Sequence, residues 1–112
     1  ILSHCGYLNP VQLDKLMTSN KNLFADLSLI TNRYFGPFQK RGVLITTSPS
    51  DAWVELLTKH SDRFMVGSDI GANLKRAKML SLVMHDYRIL LGNLPPDVAK
   101  KIASENYLRI FQ

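Results

Sequence analysis

His4 and Asp69 each follow a short apolar run, Ile1-Leu2-Ser3 for the first and Phe64-Met65-Val66-Gly67-Ser68 for the second. Runs of this kind read as buried parallel strands, and the carboxyl end of such strands is where α/β proteins bind ligands and do chemistry. A histidine can ligate a divalent metal through a ring nitrogen or take a proton near neutral pH. An aspartate can ligate the same metal, or act as base toward a metal-activated water. The two are therefore expected to share a metal or acid–base site, with His4 and Asp69 as both the catalytic and the metal-binding residues. A Gly-Ser-Asp after a strand is also an ordinary turn and helix cap, and this plainer role of Asp69 competes with the catalytic one.

Other polar side chains fall near the same end. Asp26 and Ser28 share a face of the second strand by period two. Ser28 is expected near the top, where it can bind substrate, and Asp26 is expected to satisfy buried hydrogen bonds. Arg33 and Arg41 lie in the long loop after that strand, within reach of the active face and able to hold an anionic substrate. Cys5 is the one cysteine. It forms no internal disulfide, fits a reducing, cytoplasmic compartment, and reads as a small buried hydrophobe rather than a nucleophile. His60 lies on an apolar helix face and reads as a packed histidine; His85 reads as exposed.

The elements that must position these groups alternate. After the Leu2 strand, Pro10 suits the first turn of a helix carrying Leu13, Leu16 and Met17, which Asn20-Lys21-Asn22 ends. A second strand spans Leu23 to Leu29. The loop that follows holds Gly36-Pro37, Gly42 and an apolar Val43-Leu44-Ile45 that can add an extended piece. Ser50 or Asp51 caps the next helix, whose buried stripe is Trp53, Leu56, Leu57 and His60. Phe64 to Ser68 make the third strand and Gly71 breaks the chain. A long helix is predicted from Leu74 to Leu91, with Leu80, Val83, Met84, Tyr87 and Leu91 on one face, closed by Gly92-Asn93. Pro95-Pro96-Asp97 starts a last helical stretch with Ala99, Ala103, Tyr107 and Phe111 as its stripe.

This order implies a parallel sheet with right-handed crossovers. Strand centres near Leu2, Ala25 and Val66 bracket the roughly 30 residues per βα unit of a (β/α)8 barrel of ~250 residues. The fold expected is α/β: the C-terminal three βα units of a TIM barrel with a helical tail, residues 1–112 forming a single segment. The chain opens inside a strand without Met or leader, which reads as a piece of a larger enzyme. Three strands cannot close a barrel and leave open edges and apolar surface, with Ile1, Phe24, Leu27, Phe64 and Val66 as candidates. Self-association, or a missing N-terminal barrel segment, is the expected remedy.

Composition bounds the rest. The chain has 112 residues, 46% hydrophobic and 21% charged, which is ordinary globular material. No apolar run approaches the ~20 residues that span a bilayer. The net charge of +5 is spread out apart from Lys75, Arg76, Lys78 and the Lys100-Lys101 pair. Without interleaved aromatics this reads as solvated helix faces rather than a nucleic-acid surface.

At these residues the chain resembles the amidohydrolase superfamily, the amidohydrolase-related branch of metal-dependent hydrolases and decarboxylases on a (β/α)8 barrel. Ser3-His4-Cys5-Gly6 resembles the sixth-strand motif, Asn22 to Ser28 the seventh strand, and Ser61 to Asp69 the eighth, with Asp69 in the place of the catalytic aspartate. Tyr87-Arg88 through Leu94-Pro95, Ala99, Ile102-Ala103 and Glu105-Asn106 resemble the C-terminal helices. The resemblance implies hydrolysis of a C–N or C–O bond of a small-molecule substrate, or decarboxylation, by a metal-activated water. It implies a divalent metal, zinc first, in the parent protein; Asp69 as metal ligand and proton shuttle; and His4 as second-metal ligand or substrate polariser. The family's His-x-His pair has no counterpart here, and Ile70-Gly71 stand where many relatives have Pro. The isolated segment is expected to be inactive. The competing reading is a non-catalytic α/β module that binds protein or nucleic acid.

Overall fold

In the computed structural model, residues 1–28, 47–70 and 77–112 are described. The elements are α1 (Pro10–Ser19), β1 (Ala25–Asp26), α2 (Asp51–Lys59), β2 (Phe64–Met65), α3 (Leu80–Gly92), α4 (Pro96–Lys100), a π-helical turn (Lys101–Glu105) and α5 (Asn106–Phe111). Helix and strand are mixed, as expected of an α/β chain. Arg33, Arg41, Val43-Leu44-Ile45, Gly71 and the predicted helix start at Leu74 lie outside the described residues.

The regular strands are much shorter than the apolar runs that signal them. β1 and β2 pair in parallel, Ala25 with Phe64 and Asp26 with Met65. Leu2 adds a parallel bridge to Ala25 on the other side of β1. Backbone bonds from Leu2 N to Phe24 O (2.7 Å) and from Asp26 N to Leu2 O (3.1 Å) hold it there. The array thus runs Leu2, β1, β2, three adjacent extended segments pointing one way. Alternate side chains take opposite faces. Ala25, Leu27 and Phe64 are fully buried in the core with Leu13, Met17, Trp53, Leu57, Tyr87, Leu90 and Ile102.

Two of the candidates for exposed sheet surface are therefore corrected: Leu27 and Phe64 are wholly buried. Phe24 and Val66 are half-buried, and Ile1 is exposed. The outer edge of β2 is also not open. Successive strand residues direct their N–H and C=O groups to opposite edges. Met65 faces β1, where its carbonyl accepts from Leu27 N at 2.9 Å. Phe64 and Val66 face the other way, and the C-terminal helical stretch meets them. Phe64 O accepts from Asn106 Nδ2 at 2.7 Å, and Val66 N donates to Ile102 O at 3.2 Å. The π-turn makes the second bond available. Asn106 N donates to Lys101 O, one residue further back than an α-helical bond reaches. Ile102 O, its α-helical acceptor, receives the strand instead.

The terminal stripe is corrected as well. Tyr107 and Phe111 are more than half exposed, and Ala103 is exposed. The buried face is Val98, Ile102 and Asn106. The other helices follow their sequence signals more closely. At α1, Asn9 accepts from Gln12 N while Gln12 Oε1 accepts from Asn9 N, a reciprocal cap ahead of Pro10. α2 starts at Asp51 as expected, with Ser50 in the cap position but making no capping side-chain bond. Trp53, Leu56, Leu57 and His60 are all buried. In α3 the buried stripe is Val83, Asp86, Tyr87 and Leu90, and Leu80 is exposed. His85 is exposed.

His60 is the packed histidine its position implies. Its Nε2 meets Asp14 Oδ1 at 2.7 Å, and its Nδ1 is met by Arg63 Nη2. Lys59 completes the cluster at 2.9 Å from Asp14, and the bonds from Lys59 and His60 hold the Asp14 carboxyl below its ordinary range. Arg63 Nη1 also caps the end of α1, donating to Met17 O at 2.8 Å and Asn20 O at 3.1 Å. The cluster ties α1 to α2 and to the start of β2, on the side of the sheet away from the strand ends that carry His4 and Asp69.

Candidate functional site

The segment after Leu2 turns at once. Ser3–Tyr7 form a 3-10 turn in which His4, Cys5, Gly6 and Tyr7 all have φ between 50 and 61°. For L-residues this left-handed region costs about 1–2 kcal/mol each, so surrounding contacts must over-determine it. Several do. His4 N donates to Asp26 Oδ1 at 3.1 Å. Cys5 is buried and its thiol donates to Asp26 O at 3.3 Å. Leu8 N donates to Cys5 O at 3.2 Å. The Tyr7 ring stacks on the His4 ring, centroids 5.2 Å apart. Gly6 relieves the turn at its most crowded point, where a Cβ would lie 2.9 Å from the tip of Leu2 and push it aside.

β1 supplies the partners. Asp26 Oδ1 accepts from three donors: His4 N, Ser28 N at 3.0 Å, and the Ser28 hydroxyl. The His4 ring lies over the same end of the strand. Its Nδ1 is 2.8 Å from Ser28 Oγ and 3.2 Å from Ser28 O. Ser28, the expected substrate-binding residue, is buried with its hydroxyl between His4 and Asp26. The sequence reading of Asp26 as a buried hydrogen-bonding group describes what its Oδ1 does.

β2 closes the other side. Gly67 backs directly onto the cluster: a Cβ there would meet Ser28 Cβ at 3.3 Å and Asp26 Oδ1 at 3.5 Å. The Tyr87 hydroxyl, from α3, shares its proton between Leu27 O at 2.6 Å and Gly67 O at 2.7 Å, pinning the carboxyl ends of β1 and β2 together. Asp69 follows two residues after Gly67, exposed, with φ of 48°. Ser68 Oγ accepts from Ile70 N at 3.3 Å in the same turn. His4 and Asp69 thus leave the same end of a parallel array, one strand apart. His4, Ser28 and Asp26 are in direct contact. Arg33 and Arg41 lie outside the described residues.

Two contributors escaped the sequence. Tyr87 reads only as one more apolar position on its helix, and Tyr7 only as a loop residue. The Tyr87 hydroxyl carried no periodic signal, and the stacking of Tyr7 depends on a left-handed turn that four mostly non-glycine residues do not announce.

Among the described residues, no three His, Cys, Asp or Glu gather as a metal site. His4 and Asp69 supply one nitrogen and one carboxylate. That chemistry suits zinc, which takes three or four protein ligands in its usual sites. Cys5 adds nothing reactive: burial, and then the neighbouring Asp26, push its thiol far above the ordinary range. A neutral thiol is a poor nucleophile. In the folded protein Cys5 is expected to resist a disulfide reagent such as dithionitrobenzoate at pH 8 and to react fully only in denaturant. Rapid stoichiometric labelling without denaturant would contradict its burial.

No family model, curated protein or solved structure matches this chain. Among the described residues no helix is long and apolar enough to cross a membrane.

Proposed function

We propose that these residues form the C-terminal three βα units of a barrel-type, cytoplasmic, metal-dependent hydrolase related to the amidohydrolases. One observation carries the reading: His4 and Asp69 emerge from the same end of a parallel three-segment array, in the chain order that the resemblance implies. The donor types fit a divalent metal, zinc first, and the remaining ligands would come from elsewhere in the parent protein. When bound there, the metal supplies Lewis-acid activation of water for attack on a C–N or C–O bond, or the same activation toward decarboxylation. Asp69 takes up the proton that the attacking water loses. Its exposure at the strand end leaves it accessible to both water and a small-molecule substrate. His4 is a nitrogen ligand. Both Ser28 oxygens beside Nδ1, the hydroxyl at 2.8 Å ahead of the more distant carbonyl at 3.2 Å, are placed to accept from an Nδ1–H, which leaves the lone pair on Nε2. That tautomer favours the ligand role over the polariser role, because a neutral Nε2 has no proton to offer an oxyanion.

The test uses the longest natural chain that carries these residues. Elemental analysis is expected to return bound divalent metal, and dipicolinate followed by Zn²⁺ is expected to remove and restore hydrolysis of p-nitrophenyl acetate. Asp69→Asn is expected to lower that rate about 10²-fold or more, the usual contribution of a positioned acid–base group. The 112 residues alone are expected to hold Zn²⁺ weakly. A natural-length protein that contains no metal and takes none up would overturn the proposal.

A further inference from the structure

The geometry points to Asp26 and Ser28 as a relay of positioning residues that fixes the His4 tautomer, with the proton on Nδ1 and the lone pair on Nε2. The inference rests on the metal-hydrolase reading for what Nε2 would do, but not for the relay itself. The groups that can only accept, the Asp26 carboxylate and the Ser28 carbonyl, set the direction of the links. Asp26 Oδ1 accepts the backbone N–H of His4 and of Ser28. The same oxygen takes the Ser28 hydroxyl proton. With its proton committed to the carboxylate, Ser28 Oγ presents a lone pair to His4 Nδ1, 2.8 Å away. Ser28 O presents a second at 3.2 Å. Nδ1–H therefore donates to both, and the lone pair is left on Nε2.

The imidazole is held on its other faces too. Tyr7 stacks on the ring, and the backbone turn that carries His4 is tied to the same carboxylate that orders Ser28. Asp26 thus positions both the ring's partner and the ring's own backbone. Gly67 leaves the space that Asp26 and Ser28 occupy. Metal-binding histidines commonly donate their second ring N–H to a carbonyl or carboxylate, which fixes orientation and raises ligand basicity. Here the carbonyl is present directly and the carboxylate through a hydroxyl.

Nitrogen-15 NMR of the histidine-labelled chain at pH 8 reads the tautomer without any activity. The chain has three histidines, and His60→Gln and His85→Gln assign them. His4 is expected to show a protonated Nδ1 and an unprotonated Nε2. Ser28→Ala is expected to move the population measurably toward Nε2–H, and Ser28→Thr, which keeps the hydroxyl, is expected to restore it. The buried Trp53 emission reports whether each variant remains folded, and if Ser28→Ala unfolds, Ser28→Cys, whose thiol is only a weak acceptor, takes its place with the same expected shift. A wild-type Nε2–H tautomer overturns the relay. So does an unchanged tautomer in folded Ser28→Ala, or the Ser28→Ala tautomer persisting in folded Ser28→Thr. Zn²⁺ titration of the natural-length protein, read at His4 Nε2, separates the two readings. A correct tautomer with no perturbation by Zn²⁺ keeps the relay and sinks the metal assignment.

Discussion

Phe64→Ala is expected to lose about 3–5 kcal/mol of stability, the range for removing a buried aromatic side chain from a packed core. Phe64 is wholly buried, it lies in register with Ala25 of β1, and its carbonyl accepts from Asn106. Truncation therefore leaves a cavity where sheet and terminal helices meet, and neither side can collapse without giving up hydrogen bonds. Natural domains hold only about 5–15 kcal/mol in reserve, so this variant should sit close to unfolding. Urea titration followed by the single, buried Trp53 measures it directly. A midpoint shift worth less than about 1 kcal/mol at unchanged slope would show that Phe64 is not central to the core.

The second large effect is expected at Asn106. Asn106 is 2% exposed, and its amide nitrogen donates to Ser61 O and Phe64 O, both at 2.7 Å. Asn106→Leu keeps the bulk but leaves two carbonyls without a donor, at about 1–3 kcal/mol each. Asn106→Asp separates hydrogen bonding from size. A carboxylate facing two carbonyl oxygens at a buried position is repelled and desolvated, which outweighs the opposing pull of the Arg109 guanidinium 3.3 Å from Oδ1, so the introduced group is expected to titrate above its ordinary ~3.9 in the folded state. A folded pKa raised above the unfolded one gives stability that is fully present below the unfolded value and is lost as pH rises through the folded one. Asn106→Asp should therefore be worst near neutrality and recover toward pH 4, while Asn106→Leu stays flat over the same span. Equal pH profiles for the two variants would mean that the amide protons do not matter.

These two residues also mark how far the sequence could be read. The α1 start at Pro10, the α2 stripe through Trp53 and His60, and the placing of Leu2, Ala25 and Phe64 in extended segments all follow from local pattern, because local bonds and periodic burial produce them. The strand lengths do not. Leu23 to Leu29 and Phe64 to Ser68 read as full strands, yet among the described residues ladder pairing covers two residues in each. Beyond them the ends are held by Tyr87 and by the Asp26–Ser28–His4 bonds, which are long-range. The terminal stripe failed for a related reason. Its true buried face contains Asn106, a polar residue satisfied by carbonyls some 40 positions earlier in the chain, and an apolar-only periodicity passes over it in favour of Ala103 and Tyr107. Of the site, residue types and strand-end positions were visible. The direct contact of His4 with Ser28 was not, because it depends on a left-handed turn.

The widened turn at Lys101–Glu105 makes the residue count matter here. Its bond from Asn106 N to Lys101 O spans one residue more than an α-helical bond does. Removing one residue would wind the segment back by ~100°. Asn106 would swing off its two carbonyls, the Ile102 carbonyl would return to the helix, and the outer edge of β2 would be left bare for another chain. The length of this short stretch is thus set by the strand beside it: a one-residue change upstream of Asn106 is expected to bare the edge of β2 and to surface as strand-edge aggregation, whereas a substitution on its exposed side leaves that edge covered.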